Sequence, residues 1–240
     1  MSAQMSGWLA QALATDSPVL PAAGAMQVWL HLGWSVVLAW LGACLLGRWL
    51  GGWARAVQGQ WVIALGLAAW AWVPGPSGPA HWLGLAFQAP SVASVLLCAL
   101  LLDARLRWTN GTQTPSVGSG IPWEIDTMAL VLAVMGALVG WALLLDGLAV
   151  WPLQLYAWGF SPAILGLVVL VALLPSVAGR HKVRSNGWIV GLAVPLGVLV
   201  FVVWRLPTGN VWDAVLDPWL WFLLQGWLVK QGLNRYKSNS

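Results

Sequence analysis

The sequence predicts an all-α integral membrane protein: a bundle of about seven transmembrane helices, with the amino terminus outside and the carboxyl terminus cytoplasmic. Three observations predict it. Sixty per cent of the 240 residues are apolar and only 8% are charged, against roughly 25% charged in an ordinary soluble domain. The apolar residues fall in long runs of Leu, Ala, Val and Gly separated by turn-rich joints. The basic residues gather in small groups at the ends of those runs. A hydrocarbon core roughly 30 Å thick takes about 20 apolar residues of helix, so the chain has room for the spans and short connections but not for a separate soluble domain. Lipid offers backbone amides no partner, which restricts spanning elements to helices or closed barrels. The unbroken runs select helices.

Residues 1–24 contain no Lys or Arg, carry Asp16 and are interrupted by Pro18 and Pro21. Lacking a basic n-region and a continuous apolar core, they read as an extracytoplasmic segment that stays on the protein rather than as a signal peptide. The expected spans are Ala25 to Leu46, Gln58 to Val73, Trp82 to Leu102, Thr127 to Leu145, Trp158 to Ala178, Gly187 to Leu206 and Val211 to Val229. Together they form one domain over residues 25–233, followed by a cytoplasmic tail at 234–240. Joints are read at Gly51 and Gly52, at the Pro/Gly-rich residues 74–79, at the polar stretch from Asp103 to Asp126, at Trp151 and Pro152, at 180–186 and at 207–210. Pro90 and Pro195 fall within the third and sixth spans, where each removes a backbone donor and is expected to kink its helix. Asp217 followed by Pro218 is a helix start, with aspartate at the N-cap and proline at N1. On that reading the last span begins at Pro218, and residues 211–216 form a short interfacial segment.

Orientation follows from the excess of Lys and Arg on cytoplasmic connections. With the amino end outside, ten of the eleven basic residues fall inside, and Arg205 alone falls outside. Removing one central span would scramble this alternation, so span count and orientation support each other. The tryptophans mark the same boundaries, because the indole ring favours the headgroup level. Trp49, Trp53, Trp61, Trp108, Trp123 and Trp188 lie near the inner boundary, and Trp29, Trp70, Trp72, Trp82, Trp151, Trp158, Trp204, Trp212 and Trp219 near the outer one. The expected location is a cytoplasmic (inner) membrane.

Small residues permit close helix approach in lipid. Gly136 and Gly140 are four apart in the fourth span, and Gly187 and Gly191 repeat the spacing in the sixth. Both read first as packing within the chain and second as a contact face for another protein. Cys44 and Cys98 lie inside apolar runs without ligand spacing and read as small buried hydrophobes. No internal repeat of the inverted-transporter kind is evident.

Ionisable groups in or near a membrane are functional candidates by default. Those outside the positive-inside pattern form an expected outer-side polar cluster: His31, His81, Asp146, Arg205, Asp213 and Asp217. Asp217 reads first as a cap, and a pairing of Arg205 with Asp213 or Asp217 would suit a gate or proton-linked site. His31 suits an interhelical hydrogen bond and His81 interfacial solvation; haem or chlorophyll ligation, a quinone hydrogen bond or a proton relay are the sharper alternatives. No cofactor is assigned. A retinal lysine at mid-helix, an HExxH metal motif and a phosphate-cradling glycine loop are all missing from the sequence. No catalytic or metal-ligating residue is identified.

The net charge of +4 is distributed as topology signals, which argues against a nucleic-acid partner. The expected partners are the lipid bilayer and other membrane subunits. The first expectation is a non-catalytic accessory, structural or assembly subunit of a larger membrane complex. A small transporter or channel using the outer Asp/Arg residues is the alternative. A quinone- or lipid-handling enzyme or pigment-binding subunit is the third reading, and it requires His31, Asp146 and Asp213 to converge.

Overall fold

The computed structural model describes residues 20–49, 57–109, 127–150, 154–178 and 187–239. Every regular element among them is helical. In chain order these are α1 (Ala23–Trp49), α2 (Val57–Ala71), a 3-10 turn (Gly75–Ser77), α3 (Pro79–Phe87), α4 (Val92–Thr109), α5 (Thr127–Gly147), α6 (Leu155–Trp158), α7 (Pro162–Ala178), α8 (Gly187–Trp204), α9 (Val211–Val215) and α10 (Pro218–Asn239). Among the described residues two stretches are long and apolar enough to cross a membrane, Ala23–Leu46 in α1 and Leu130–Gly147 in α5.

The helices pack in a chain of neighbours. α1 lies along α2 and α4, α8 lies between α4 and α7, and α5 pairs with α10. The short α9 tucks beneath α8 and α4. One apolar cluster joins Val92, Phe201, Leu206, Val211, Trp212 and Ala214, so the start of α4, the end of α8 and all of α9 share a core. A second cluster gathers around Trp34, Val37 and Cys98 on α1 and α4.

Proline decides where the third expected span departs from a simple kink. The stretch from Trp82 to Leu102 is two helices, α3 and α4, parted at 88–91. Gln88 takes a left-handed φ of 61°, and Pro90 has no N–H with which to continue the helix. The freed carbonyls find indole donors on α1: Trp34 Nε1 donates to Gln88 O at 3.0 Å and Trp29 Nε1 to Pro90 O at 2.9 Å. Pro195, by contrast, stays inside an uninterrupted α8. Two further expected spans also begin in pieces. Leu155–Trp158 precedes the longer α7, and Val211–Val215 is separate from α10, which starts at Pro218.

The glycines of α5 receive side chains of α10. A Cβ on Gly140 would run into the Trp221 ring, and one on Gly136 would press on Leu224. Trp221 Nε1 donates to Ala137 O at 3.2 Å, and its ring meets Trp141 edge-on at 5.2 Å. Gly187 and Gly191 fall in α8, but their surroundings lie outside the described residues, as do residues 1–19 and 110–126.

Candidate functional site

The site is built where the ends of α4, α5, α6, α9 and α10 meet. Asp217 caps α10: its Oδ1 accepts the Leu220 N–H at 2.6 Å, and Pro218 occupies N1, where a missing N–H costs nothing. Its second oxygen reaches across the bundle and accepts the Ser91 N–H at 2.6 Å. Ser91 in turn opens α4, where its Oγ accepts the Ser94 N–H at 3.0 Å and donates to Ser94 Oγ at 2.9 Å. These three polar residues are buried.

Asn210 caps α9 in the same way, accepting the Trp212 N–H at 3.0 Å. Its amide nitrogen donates to Tyr156 O at 2.9 Å, and Trp212 Nε1 donates to Leu155 O at 2.9 Å. The Val211 N–H reaches Gly159 O at 3.0 Å, so α9 is stitched to the α6–α7 corner by three bonds. Gly159 is needed there, since a Cβ would overlap the Asn210 side-chain oxygen.

Asp213 sits between these two caps. Its Oδ2 accepts from the Tyr156 hydroxyl at 2.8 Å and from the Thr208 hydroxyl. Burial pushes its carboxyl above the ordinary range; the bonds from Thr208 and Tyr156 pull it down, and the charge of Asp217 adds to the rise. Burial likewise raises the Tyr156 phenol, reinforced by the charge of Asp213. Asp146, at the end of α5, accepts the Tyr156 N–H at 2.8 Å. Tyr156 is therefore the hinge pin: it takes Asp146 with its backbone and Asp213 with its hydroxyl.

A cavity of about 310 Å³ opens beside this junction, bordered among others by Phe87, Gln88, Tyr156, Thr208, Asp213 and Asp217.

Of the six expected cluster residues, Asp146, Asp213 and Asp217 belong to this arrangement. Arg205 does not pair with either aspartate; its guanidinium lies over the Phe201 ring at 5.3 Å from the centroid. His31 lies elsewhere in the contact network, its Nδ1 2.9 Å from Gln27 O and its ring stacked on Trp72 at 5.7 Å. His81 stands edge-on to Trp82 at 5.3 Å. The convergence of His31, Asp146 and Asp213 demanded by the enzyme reading is not formed. Among the described residues no group of three His, Cys, Asp or Glu side chains could hold a metal ion.

Tyr156, Thr208 and Asn210 are the residues that sequence reasoning missed. Asn210 was open to recognition as a cap, standing directly before a short apolar segment. Tyr156 is one of two tyrosines in the chain, placed in a joint, but nothing local names Asp213 as its partner. No protein-family model, no curated protein and no solved structure matches the chain.

Proposed function

We propose that the chain crosses a cytoplasmic (inner) membrane seven times, amino end outside, and serves as a non-catalytic subunit or assembly factor of a larger membrane complex. The observation that carries this reading is what the acidic groups do. Asp217 uses both oxygens on backbone N–H groups, Asp146 accepts the backbone of Tyr156, and Asp213 holds two hydroxyls. Such groups fasten helix ends together, which is what a structural subunit asks of its few buried carboxylates.

The seven spans of the proposal are α1, α2, the α3–α4 pair, α5, α7, α8 and α10. Their alternation leaves ten of eleven cations on one side. The partners are the bilayer and other membrane proteins. Apolar side chains including Val131, Leu138 and Trp141 on α5 and Val203 and Trp204 on α8 are exposed on the single chain and available to both. Purification in mild detergent should recover stoichiometric membrane partners. A monodisperse monomer that brings nothing with it would refute the subunit reading. Topology is tested separately by reporter fusions after residues 54, 104, 182 and 237, all of which should report the cytoplasm.

A second reading, a small transporter or channel, draws support from the α3–α4 break. Irregular backbone at membrane depth is tolerated where it is buried in protein or lines a cavity, and Gln88 borders one. Proteoliposomes that accumulate no small solute above protein-free vesicles would eliminate it.

A further inference from the structure

The cavity beside the helix break has a one-sided chemistry. Its two carboxylates are those of Asp213 and Asp217, and among the described residues no Lys, Arg or His borders it. Asp213 receives both hydrogen bonds on Oδ2, so Oδ1 has no donor among the described residues. The Tyr156 hydroxyl gives its one proton to Asp213 and can only accept thereafter. Thr208 is in the same position, its proton also directed to Asp213. Gln88 contributes an exposed side-chain amide. Asp217 already takes one backbone N–H on each oxygen, and its charge adds to the negative field of the wall.

We propose that this cavity binds a small primary ammonium group, held by Asp213 Oδ1 and the Tyr156 and Gln88 oxygens and flanked by the Phe87 ring. The carboxylate oxygen and the two spent hydroxyls leave acceptor capacity unused, Gln88 can turn its amide oxygen toward them, and the complement of acceptors is a cation with several donors. A primary ammonium has three. Quaternary ammonium has none and would keep only the field and the ring face, and an anion would be repelled. The Phe87 ring adds a cation–π surface. A volume of about 310 Å³ stands at the small end of ligand cavities, which run from about 300 Å³ upward, so the carrier is compact or only its headgroup enters. Both a free amine and the ethanolamine headgroup of a phospholipid present this chemistry. The inference goes beyond the subunit reading and does not depend on transport.

The test titrates ethanolammonium chloride calorimetrically into the purified full chain in detergent, with tetramethylammonium and potassium chloride as comparators. Saturable binding of ethanolammonium alone is expected. Asp213→Asn should weaken it about tenfold or more, as expected for loss of a hydrogen bond to a charged group. Gln88→Glu should strengthen it severalfold, and because Gln88 is exposed and its side chain anchors no helix cap, this variant reads the proposal even where Asp213→Asn fails to fold. Nanodiscs of phosphatidylethanolamine that suppress the titration, against phosphatidylcholine discs that do not, would identify the headgroup as the source; equal titration in both identifies a free amine. The proposal is overturned if ethanolammonium shows no heat at about 10 mM, a concentration well above a millimolar Kd. It is equally overturned if tetramethylammonium or potassium binds as well, or if Gln88→Glu leaves affinity unchanged.

Discussion

Asp217 and Ser91, 126 residues apart in the chain, are joined by a buried 2.6 Å hydrogen bond from the Ser91 amide to the Asp217 carboxylate. The other oxygen of the same carboxylate caps α10, so one side chain starts the last helix and secures the restart of α4 after its break. Removing it strands two buried donors. Each stranded donor costs about 1–3 kcal/mol, so Asp217→Ala should lower stability by roughly 2–4 kcal/mol once partial relaxation is allowed. Asp217→Asn, which keeps one acceptor, should lose about half of that. Thermal unfolding in detergent decides the matter: an Asp217→Ala protein melting with the wild type would show that the carboxylate does not hold these ends.

Asp213 gives a pH dependence of defined sign. Burial, the largest influence on it, raises its folded pKa above the unfolded value, which is roughly 3.9. The folded state thus holds the proton more tightly than the unfolded chain. The corresponding stability is present in full below the unfolded value and is lost as pH rises through the raised folded value. Melting temperatures measured from acid to neutral pH should fall for the wild type relative to Asp213→Asn, whose side chain does not titrate. Tyr156→Phe removes a donor that favours the charged carboxylate and should move this fall to higher pH. Parallel curves for wild type and Asp213→Asn would rule the assignment out.

Helical character was legible in the apolar runs, and the cap at Asp217 in the two residues Asp217 and Pro218, because both signals are local. The joint between Asp217 and Ser91 was not, since no periodicity links residues so far apart. The break at 88–91 was only half legible. Proline announces a lost donor, but whether the helix runs on, as at Pro195, or parts, as at Pro90, depends on whether neighbours can satisfy the freed carbonyls. At Pro90 two indoles of α1 do so. A similar limit applied to Asp213: an aspartate one turn before a cap reads as an ion-pair candidate for Arg205, whereas the fold gives it two hydroxyls instead.

Glycine replacements separate close packing from open surface. Gly140→Ala places a methyl group in the Trp221 ring, and Gly159→Ala places one in the Asn210 cap. Overpacking of this kind costs about 1–3 kcal/mol. Gly166→Ala in α7 meets nothing within 4 Å and should be neutral or slightly stabilising. Comparison of the three melting curves checks the α5–α10 contact and the seat of α9 on the α6–α7 corner together; equal behaviour of Gly140→Ala and Gly166→Ala would contradict the packing of Trp221 on α5.

Tryptophan has a role beyond marking the headgroup level. Among the described residues six indoles donate to backbone carbonyls, and most of those carbonyls lie at helix breaks or turns: Trp29 to Pro90, Trp34 to Gln88, Trp70 to Ser77, Trp82 to Pro76, Trp212 to Leu155 and Trp221 to Ala137. A rigid ring with a single donor can reach from one helix to an exposed carbonyl on the next while burying its apolar body. Trp34 is 2% exposed, so its donor has no access to water in exchange. Trp34→Phe removes the donor and leaves a smaller ring in a buried site, which should cost about 1–2 kcal/mol for the lost hydrogen bond and the space left behind. Trp70→Phe, at an exposed position where water replaces the lost bond, should cost well under 1 kcal/mol. If the two substitutions lower the melting temperature equally, the indoles act through ring burial alone and not as donors to broken backbone.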